Sequence, residues 1–379
     1  MQFQHTEDQI MITDMARQFA ASELAPHAEM WDREKIMDRA VFEKAAALGF
    51  LGIYTSEEHG GSNLSRLDSA LVFEQLAAGD VSHTAMMTIH NMATWMIDRY
   101  GDADLRAKYV PRLTAGELVA SYCLTEPGSG SDAASLSTKA VRDGDDYVLN
   151  GTKTFISGAG WSDVYIVMAR TSDDGARGVS CFVVEKGMAG LSFGAQERKM
   201  GWNAQPTAQV IFEDCRIPAS NRVGAEGEGF RFAMSGLDGG RINIGACSLG
   251  GAQAALDMAV EYTKERKQFK TRIADFQNTQ FKLADMSTEL DAARLMIYRA
   301  ANLVDAKVPD AGIACAKAKR FATDTCSKIA NDALQLHGGY GYLADYQVER
   351  IVRDLRVHQI LEGTNEIMRM IVGRSMVRQ

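Results

Sequence analysis

Glu362 stands in the run Ile360-Leu361-Glu362-Gly363-Thr364-Asn365-Glu366, behind His358 and Gln359 and directly before a glycine. A lone glutamate is ordinarily a solvated surface charge. Apolar neighbours disfavour its ionised form, however, and raise the pKa toward the range a general base needs. Gly128-Ser129-Gly130-Ser131-Asp132-Ala133 fits the loose G-x-G-x-x-A pattern of dinucleotide-binding turns. That pattern requires a hydrophobic strand before it, and Glu126-Pro127 stand there instead. What is left is either a loop whose backbone N–H groups lie against a flat or anionic ligand, or a plain surface turn. Ala246-Cys247-Ser248-Leu249-Gly250 is one residue from a hydrolase nucleophile elbow, but it lies inside helical periodicity with no strand before it, so a serine nucleophile is not expected. The seven histidines include no H-E-x-x-H, and Cys123, Cys181, Cys215, Cys247, Cys315 and Cys326 form no C-x-x-C pair, so no metal site is expected. Scattered cysteines also suit a reducing compartment.

These residues must be held by elements, and 379 residues supply enough chain for two or three domains. The 46% apolar and 24% charged content is that of an ordinary globular protein. Forty-one basic against forty-nine acidic residues leave a formal charge of −8, which argues against nucleic acid or an anionic membrane as partner. The longest apolar stretch, around Ala45 to Tyr54, is about half the ~20 residues of a membrane-spanning helix. With acidic residues early and no basic segment ahead of an apolar one, neither a secretory nor a transit signal is visible, and the expected location is the cytoplasm.

Proline and glycine divide the chain. Residues 27–110 and 219–308 contain no proline and are free to form long helices. Thr6, followed by Glu7 and Asp8, reads as the cap of a first helix. Short β-branched or aromatic runs (Tyr147–Leu149, Thr152–Ile156, Val164–Arg170, Val179–Val184 and Gln209–Phe212) read as a mostly antiparallel β region. Leu283, Met286, Leu290, Ala293, Ile297, Ala300 and Val304 then follow an unbroken 3-4-3-4 spacing, the stripe of a bundle helix. The expected fold class is therefore α+β and multidomain: a helical domain at 1–118, a β domain at 119–228 and a helical bundle at 229–379.

Three segments in this order resemble the acyl-CoA dehydrogenase family, and the resemblance runs from about Thr6 to Arg374. Tyr122-Cys123-Leu124-Thr125-Glu126-Pro127-Gly128-Ser129-Gly130-Ser131-Asp132 is similar to the family's first signature. Gln335-Leu336-His337-Gly338-Gly339-Tyr340-Gly341-Tyr342, with Asp345, Arg350 and Asp354 beyond, is similar to the second, and Glu362-Gly363-Thr364 to the segment bearing its base. The resemblance implies a helical amino-terminal domain, a middle β-barrel and a carboxy-terminal four-helix bundle, assembled as a homotetramer with FAD. It implies that Tyr122, Cys123, Leu124, Thr125, Gly130 and Ser131, with Phe155, Ile156 and Ser157, border the flavin ring. Arg266, Phe269, Phe276 and Gln277, and Gln335, Leu336, His337, Gly338 and Gly339, would hold the diphosphate and adenosine, partly across a subunit interface, and Thr364, Asn365 and Glu366 would complete the site.

On the same resemblance Glu362 takes the α-proton while hydride passes from Cβ to flavin N5, and the thioester oxygen meets a ribityl hydroxyl and the Glu362 backbone N–H. Some members carry their base near the segment Leu237 to Arg241, where this chain has Gly240. Ser131, Asp238, Gly239, Gly240, Arg241 and Gly363 match substrate-contacting positions, and Arg374 a position near the CoA end. Gly201 to Thr207, Gly239 to Ile244 and His337 to Leu343 look most like the branch acting on isobutyryl-CoA in valine breakdown, with an electron-transfer flavoprotein as acceptor. A short straight-chain or 2-methylbutyryl-CoA dehydrogenase and an acyl-CoA oxidase are the alternatives within the fold. From a different class, a non-catalytic nucleic-acid-binding or assembly relative is disfavoured by the −8 charge and by Glu362.

Overall fold

The computed structural model describes residues 4–377. Its amino-terminal region is helical: α1 (Glu7–Phe19), α2 (Ala28–Glu34), α3 (Arg39–Ala47), α4 (Arg66–Gly79), α5 (Val81–Tyr100) and α6 (Ala103–Thr114). Local chemistry sets several of these starts. Thr6 and Gln9 form a reciprocal capping box on α1, as do Ser65 and Asp68 on α4, while the carboxylates of Asp80 and Asp102 accept from the first turns of α5 and α6.

The middle region carries β1 (Ala120–Cys123), β2 (Lys139–Asp143), β3 (Asp146–Ser157), β4 (Val164–Arg170), β5 (Val179–Glu185), β6 (Leu191–Phe193), β7 (Thr207–Pro218) and β8 (Arg222–Val223). The sheet order is β6-β7-β3-β2-β4-β5-β8, with β1 added on β4. The fold class read from the sequence holds, with a refinement in this sheet. Among the described residues the end strands β6 and β8 do not pair, so no closed ring of hydrogen bonds forms. The sheet is mixed rather than purely antiparallel, because β1 runs parallel to β4 and β2 meets β4 in parallel at Lys139–Arg170. β4 and β5 are buried on both faces, which explains their unbroken apolar sequences.

The carboxy-terminal region holds α7 (Gly229–Glu265), a short β9 (Lys267–Gln268) and β10 (Thr271–Arg272) ribbon, α8 (Gln277–Asp305), α9 (Ala311–His337), α10 (Val348–Arg356) and α11 (Asn365–Val377). The 3-4 stripe lies on α8 as expected, with Met286, Leu290, Ala293, Ile297 and Ala300 buried. α7 is crowded with glycines, each costing roughly 1 kcal/mol relative to alanine in a helix interior. Packing accounts for them: a Cβ at Gly250 would lie 2.1 Å from the Glu74 carbonyl oxygen on α4, and one at Gly245 would lie 2.1 Å from Ile297 on α8. The principal core joins α1–α5 and α7–α10, and two smaller clusters lie under the sheet. All six cysteines are buried and free, and among the described residues no helix is long and apolar enough to cross a membrane.

Candidate active site

Three stretches of chain, far apart in sequence, meet around Glu362. The first is the Tyr122–Ser131 loop, held by a buried ion pair. Lys153 Nζ donates to Glu126 Oε1 at 2.8 Å and to the Leu124 carbonyl at 3.0 Å. The Glu126 carboxylate also accepts from Ser137 N (2.6 Å), Ser137 Oγ (2.8 Å) and Thr138 N (2.9 Å). Burial works against an ionised Glu126, but Lys153 and these hydrogen bonds outweigh it and hold the carboxyl down at about 2.

The second stretch is the end of β3. Its register against β7 shifts between Lys153 and Ile156, and Phe155 inside that irregularity adopts φ +57°. Such a bulge re-aims a side chain. Phe155 is left 66% exposed at the cavity, while Thr154 N–H donates to the Thr125 carbonyl at 2.9 Å and ties β3 to the first loop.

The third is the turn that carries Glu362 itself. Glu362 and Gly363 are both left-handed, at φ +56° and +85°. For a glutamate this conformation costs on the order of 1–3 kcal/mol and persists only where neighbours fix it. On one side Arg241 Nε donates to the Glu362 carbonyl at 3.4 Å, and its Nη1 donates to Asp238 Oδ1 at 2.6 Å. On the other, Lys319 Nζ donates to the Gly363 carbonyl at 2.9 Å. Thr364 Oγ1 accepts from Ile367 N–H at 3.3 Å and caps α11.

Glu362 is half-buried, its open side facing the cavity, and Oε2 is buried without a hydrogen-bond partner among the described residues. Desolvation pushes the carboxyl up to about 7, against the opposing pull of Arg241 and Lys319. A Cβ at Gly240 would lie 2.5 Å from Oε2, so the missing side chain on α7 is what makes room for the carboxylate. The Glu362 backbone N–H has no acceptor among the described residues.

The cavity, of about 290 Å³, is lined by Ala85, Thr88, Ile89 and Met92 of α5, by Tyr122, Leu124, Thr125, Gly130, Ser131 and Ala133, and by Phe155, Ile156, Ser157 and Trp202. Met234, Leu237, Arg241 and Ile244 of α7, Leu361–Gly363, and Ile367, Met370 and Ile371 of α11 complete it. Most of this wall is apolar. Tyr122 Oη, Trp202 Nε1 and Glu362 Oε2 are buried in it with no hydrogen-bond partner among the described residues. Orphaned polar atoms around a mostly apolar space, with an aromatic ring left open at its edge, fit a flat heteroaromatic group with hydrogen-bonding edges.

Arg266, Gln335, Leu336, His337, Gly338 and Gly339 meet in a separate groove beside Tyr262, where Tyr262 stacks on His337 at 4.4 Å and the Arg266 guanidinium lies 5.3 Å from the Tyr340 ring. Cys123, Gly239 and Gly240 do not line the cavity, Asp238 is bonded by Arg241 of its wall, and Thr364, Asn365 and Glu366 stand at the start of α11. Phe269 is 90% exposed, Gln277 is exposed, and Phe276 is half-buried outside both hollows. Arg374 is exposed near the end of α11, so within one chain it does not meet Glu362. Sequence reasoning did not select the α5 wall or Met234, and it named Trp202 only within the Gly201 to Thr207 segment, not as a wall of this cavity. It also missed Lys319, one of several basic residues on α9 with nothing local to mark it.

Family models described as acyl-CoA dehydrogenase N-terminal, middle and C-terminal domains match residues 6–117, 121–215 and 227–377. The chain is 56% identical over 372 residues to the mitochondrial isobutyryl-CoA dehydrogenase of Dictyostelium discoideum, covering 98% of this chain and 89% of the relative. It superposes with TM-score 0.98 at 43% identity, covering all of both chains, on a chain from a study of the electron transferring flavoprotein of Acidaminococcus fermentans and flavin-based electron bifurcation. A structure described as PigA with FAD and proline matches with TM-score 0.96 at 33% identity, over 100% of this chain and 99% of that one.

Proposed function

The chain belongs to the acyl-CoA dehydrogenase family, and on that premise we propose that it oxidises the Cα–Cβ bond of a short branched acyl-CoA, isobutyryl-CoA first, with Glu362 as the base. The observation that carries the reading is the buried, unpartnered Oε2 of Glu362, aimed into an apolar cavity and given its room by Gly240. FAD, the family's cofactor, supplies the acceptor for the β-hydrogen and its electron pair when bound. Tyr122 to Thr125, Gly130, Ser131 and Phe155 to Ser157 are the residues that would hold its ring. Arg266 and Gln335 to Gly339 would hold the diphosphate and adenosine, in a homotetramer that donates to an electron-transfer flavoprotein.

The chain's own part in the reaction is proton chemistry and positioning. The Glu362 carboxylate takes the α-proton and becomes a neutral acid, a change that its apolar surroundings favour. Its backbone N–H is available to the thioester oxygen, where negative charge develops as the proton leaves. Ala85, Thr88, Ile89 and Met92 of α5 keep water from the base on one side, and Leu361 and Ile367 on the other.

An α-methyl group must fit beside this carboxylate without displacing Cα, and discrimination by a methylene is worth only about 1–3 kcal/mol. The identity to an isobutyryl-CoA dehydrogenase is what supports that substrate over its neighbours. The test is kcat/KM for isobutyryl-, 2-methylbutyryl-, butyryl-, isovaleryl- and octanoyl-CoA with one electron acceptor. Isobutyryl-CoA should lead, and a clear preference for isovaleryl- or octanoyl-CoA rejects the assignment.

A further inference from the structure

Lys319 has no exposed surface and, among the described residues, no carboxylate within ion-pair reach. Its ammonium donates instead to two neutral acceptors, the Gly363 carbonyl and Asn365 Oδ1, each at 2.9 Å. Asn365 is locked in turn, its amide donating to Thr323 Oγ1 at 2.9 Å and to Asp324 Oδ1 at 2.7 Å. One face of α9 therefore clamps the residues immediately after Glu362. A neutral donor would close the same clamp without burying a charge, which is costly when its partners are neutral. The charge itself calls for an explanation, and the acidic group that acts on it most strongly is the Glu362 carboxyl, whose Oε2 has no hydrogen-bond partner among the described residues.

We propose that Lys319 is a positioning residue for proton abstraction: it holds the left-handed turn that aims Glu362 into the cavity and sets a positive charge behind the base. The inference rests on Glu362 being that base. Charged and titratable groups face this pair from every element packed against it. They are Arg241 and Asp238 on α7, Asp324 on α9, Glu366 on α11, His358 before the turn, Tyr122 on β1, and Tyr54 with Arg66 on the amino-terminal side. Burial and Lys319 hold His358 at about 3, so it is neutral in the working range. Burial also lowers Lys319 to about 8, against the pull of Glu362. Arg241 and Lys319 are thus the two cations that favour the ionised base, and Arg241 also serves Asp238. Without the Lys319 charge the carboxyl ionises at higher pH, and the acid limb of proton abstraction moves up with it.

The test uses the FAD-loaded enzyme with Lys319→Met, Lys319→Gln and Lys319→Arg. Three quantities are measured: the pH profile of anaerobic flavin reduction by isobutyryl-CoA, the Kd of an acyl-CoA analogue with no hydrogen on Cβ, and the melting temperature. Lys319→Met should slow reduction at pH 7 by about fivefold and raise the acid limb by about one pH unit, with the Kd changed by less than about threefold. Lys319→Arg should return the limb toward that of the parent. An unmoved limb in Lys319→Met overturns the proposal, as does a loss of analogue binding that matches the loss of rate. If Lys319→Met does not fold, Lys319→Gln, which keeps a neutral donor and drops the charge, is set against Lys319→Arg, and identical limbs in those two overturn it. Normal reduction by Glu362→Gln in the same series would instead remove the base assignment on which the proposal stands.

Discussion

Glu126 and Glu362 are the same side chain, each withdrawn from bulk water, Glu362 in the cavity wall and Glu126 inside the loop that supplies another part of that wall, and they are driven in opposite directions. Glu126 is tied by Lys153, by two backbone N–H groups and by a hydroxyl, and its carboxyl is held at about 2. Glu362 has an unpartnered oxygen and is raised to about 7. Burial alone therefore does not make a base. A carboxylate whose lone pairs are all occupied is a structural fastener, and one left open toward a cavity has basicity to spend on a substrate.

The largest effect expected from this contrast is chemical. Glu362→Gln preserves shape and removes basicity, so flavin reduction by substrate should fall by roughly 10²–10⁴-fold with the fold and FAD content intact. Rapid-mixing measurement of flavin bleaching decides it, and near-normal bleaching would pass the base to another residue. Glu126→Gln should act on stability instead. It strands the buried Lys153 ammonium and should cost about 3–5 kcal/mol, read as a lower denaturation midpoint. If the midpoint holds while reduction collapses, the roles of the two glutamates have been reversed.

Gly240→Ala tests the space on which the contrast depends. Its Cβ would sit 2.5 Å from Oε2, and the displaced carboxylate should lose about 100-fold in reduction rate with little change in melting temperature. A rate within threefold of the parent would show that the base tolerates a different rotamer.

The smallest effects are in pH dependence. With Glu362 as the proposed base, proton abstraction needs its ionised form, so the rate should fall as pH drops through about 7, by about tenfold per unit on the steep limb. For stability the two signs differ. The depressed carboxyl of Glu126 contributes stability that is present above its unfolded value and is lost as pH falls toward about 2. The raised carboxyl of Glu362 does the reverse: its contribution is present below the unfolded value and is lost as pH rises through about 7. Glu362→Gln should therefore melt above the parent at pH 8 and lose that advantage below pH 4. Scanning calorimetry across that range checks the sign.

Much of this was legible in the sequence because it depends on local chemistry. The Thr6 cap, the α8 stripe and the apolar approach to Glu362 are patterns within a few turns of chain, and the structure reproduces the helix start and the buried stripe. The two signature strings pointed to loops, and one of those loops does meet Glu362. What stayed hidden is set by tertiary contact. Thr88, Ile89 and Met92 line the cavity from the middle of a helix, and nothing in their spacing separates a ligand wall from a core. Lys319 acquires its partners only when α9 docks against the turn before α11. The open sheet was missed because strand runs state which residues extend, not whether the two end strands meet. Phe269, Phe276, Gln277 and Arg374, assigned by resemblance, find no common site inside one chain.

The six buried cysteines make the molecule its own reporter of opening. Burial raises every one of these thiols, so the native chain presents no ready thiolate to a reagent in solution. Cys123, Cys181 and Cys215 lie in the sheet, Cys247 in α7, and Cys315 and Cys326 in α9, whereas the amino-terminal helices hold none. Labelling kinetics resolved by peptide would therefore time the breathing of the sheet and of the bundle separately, without a single introduced probe.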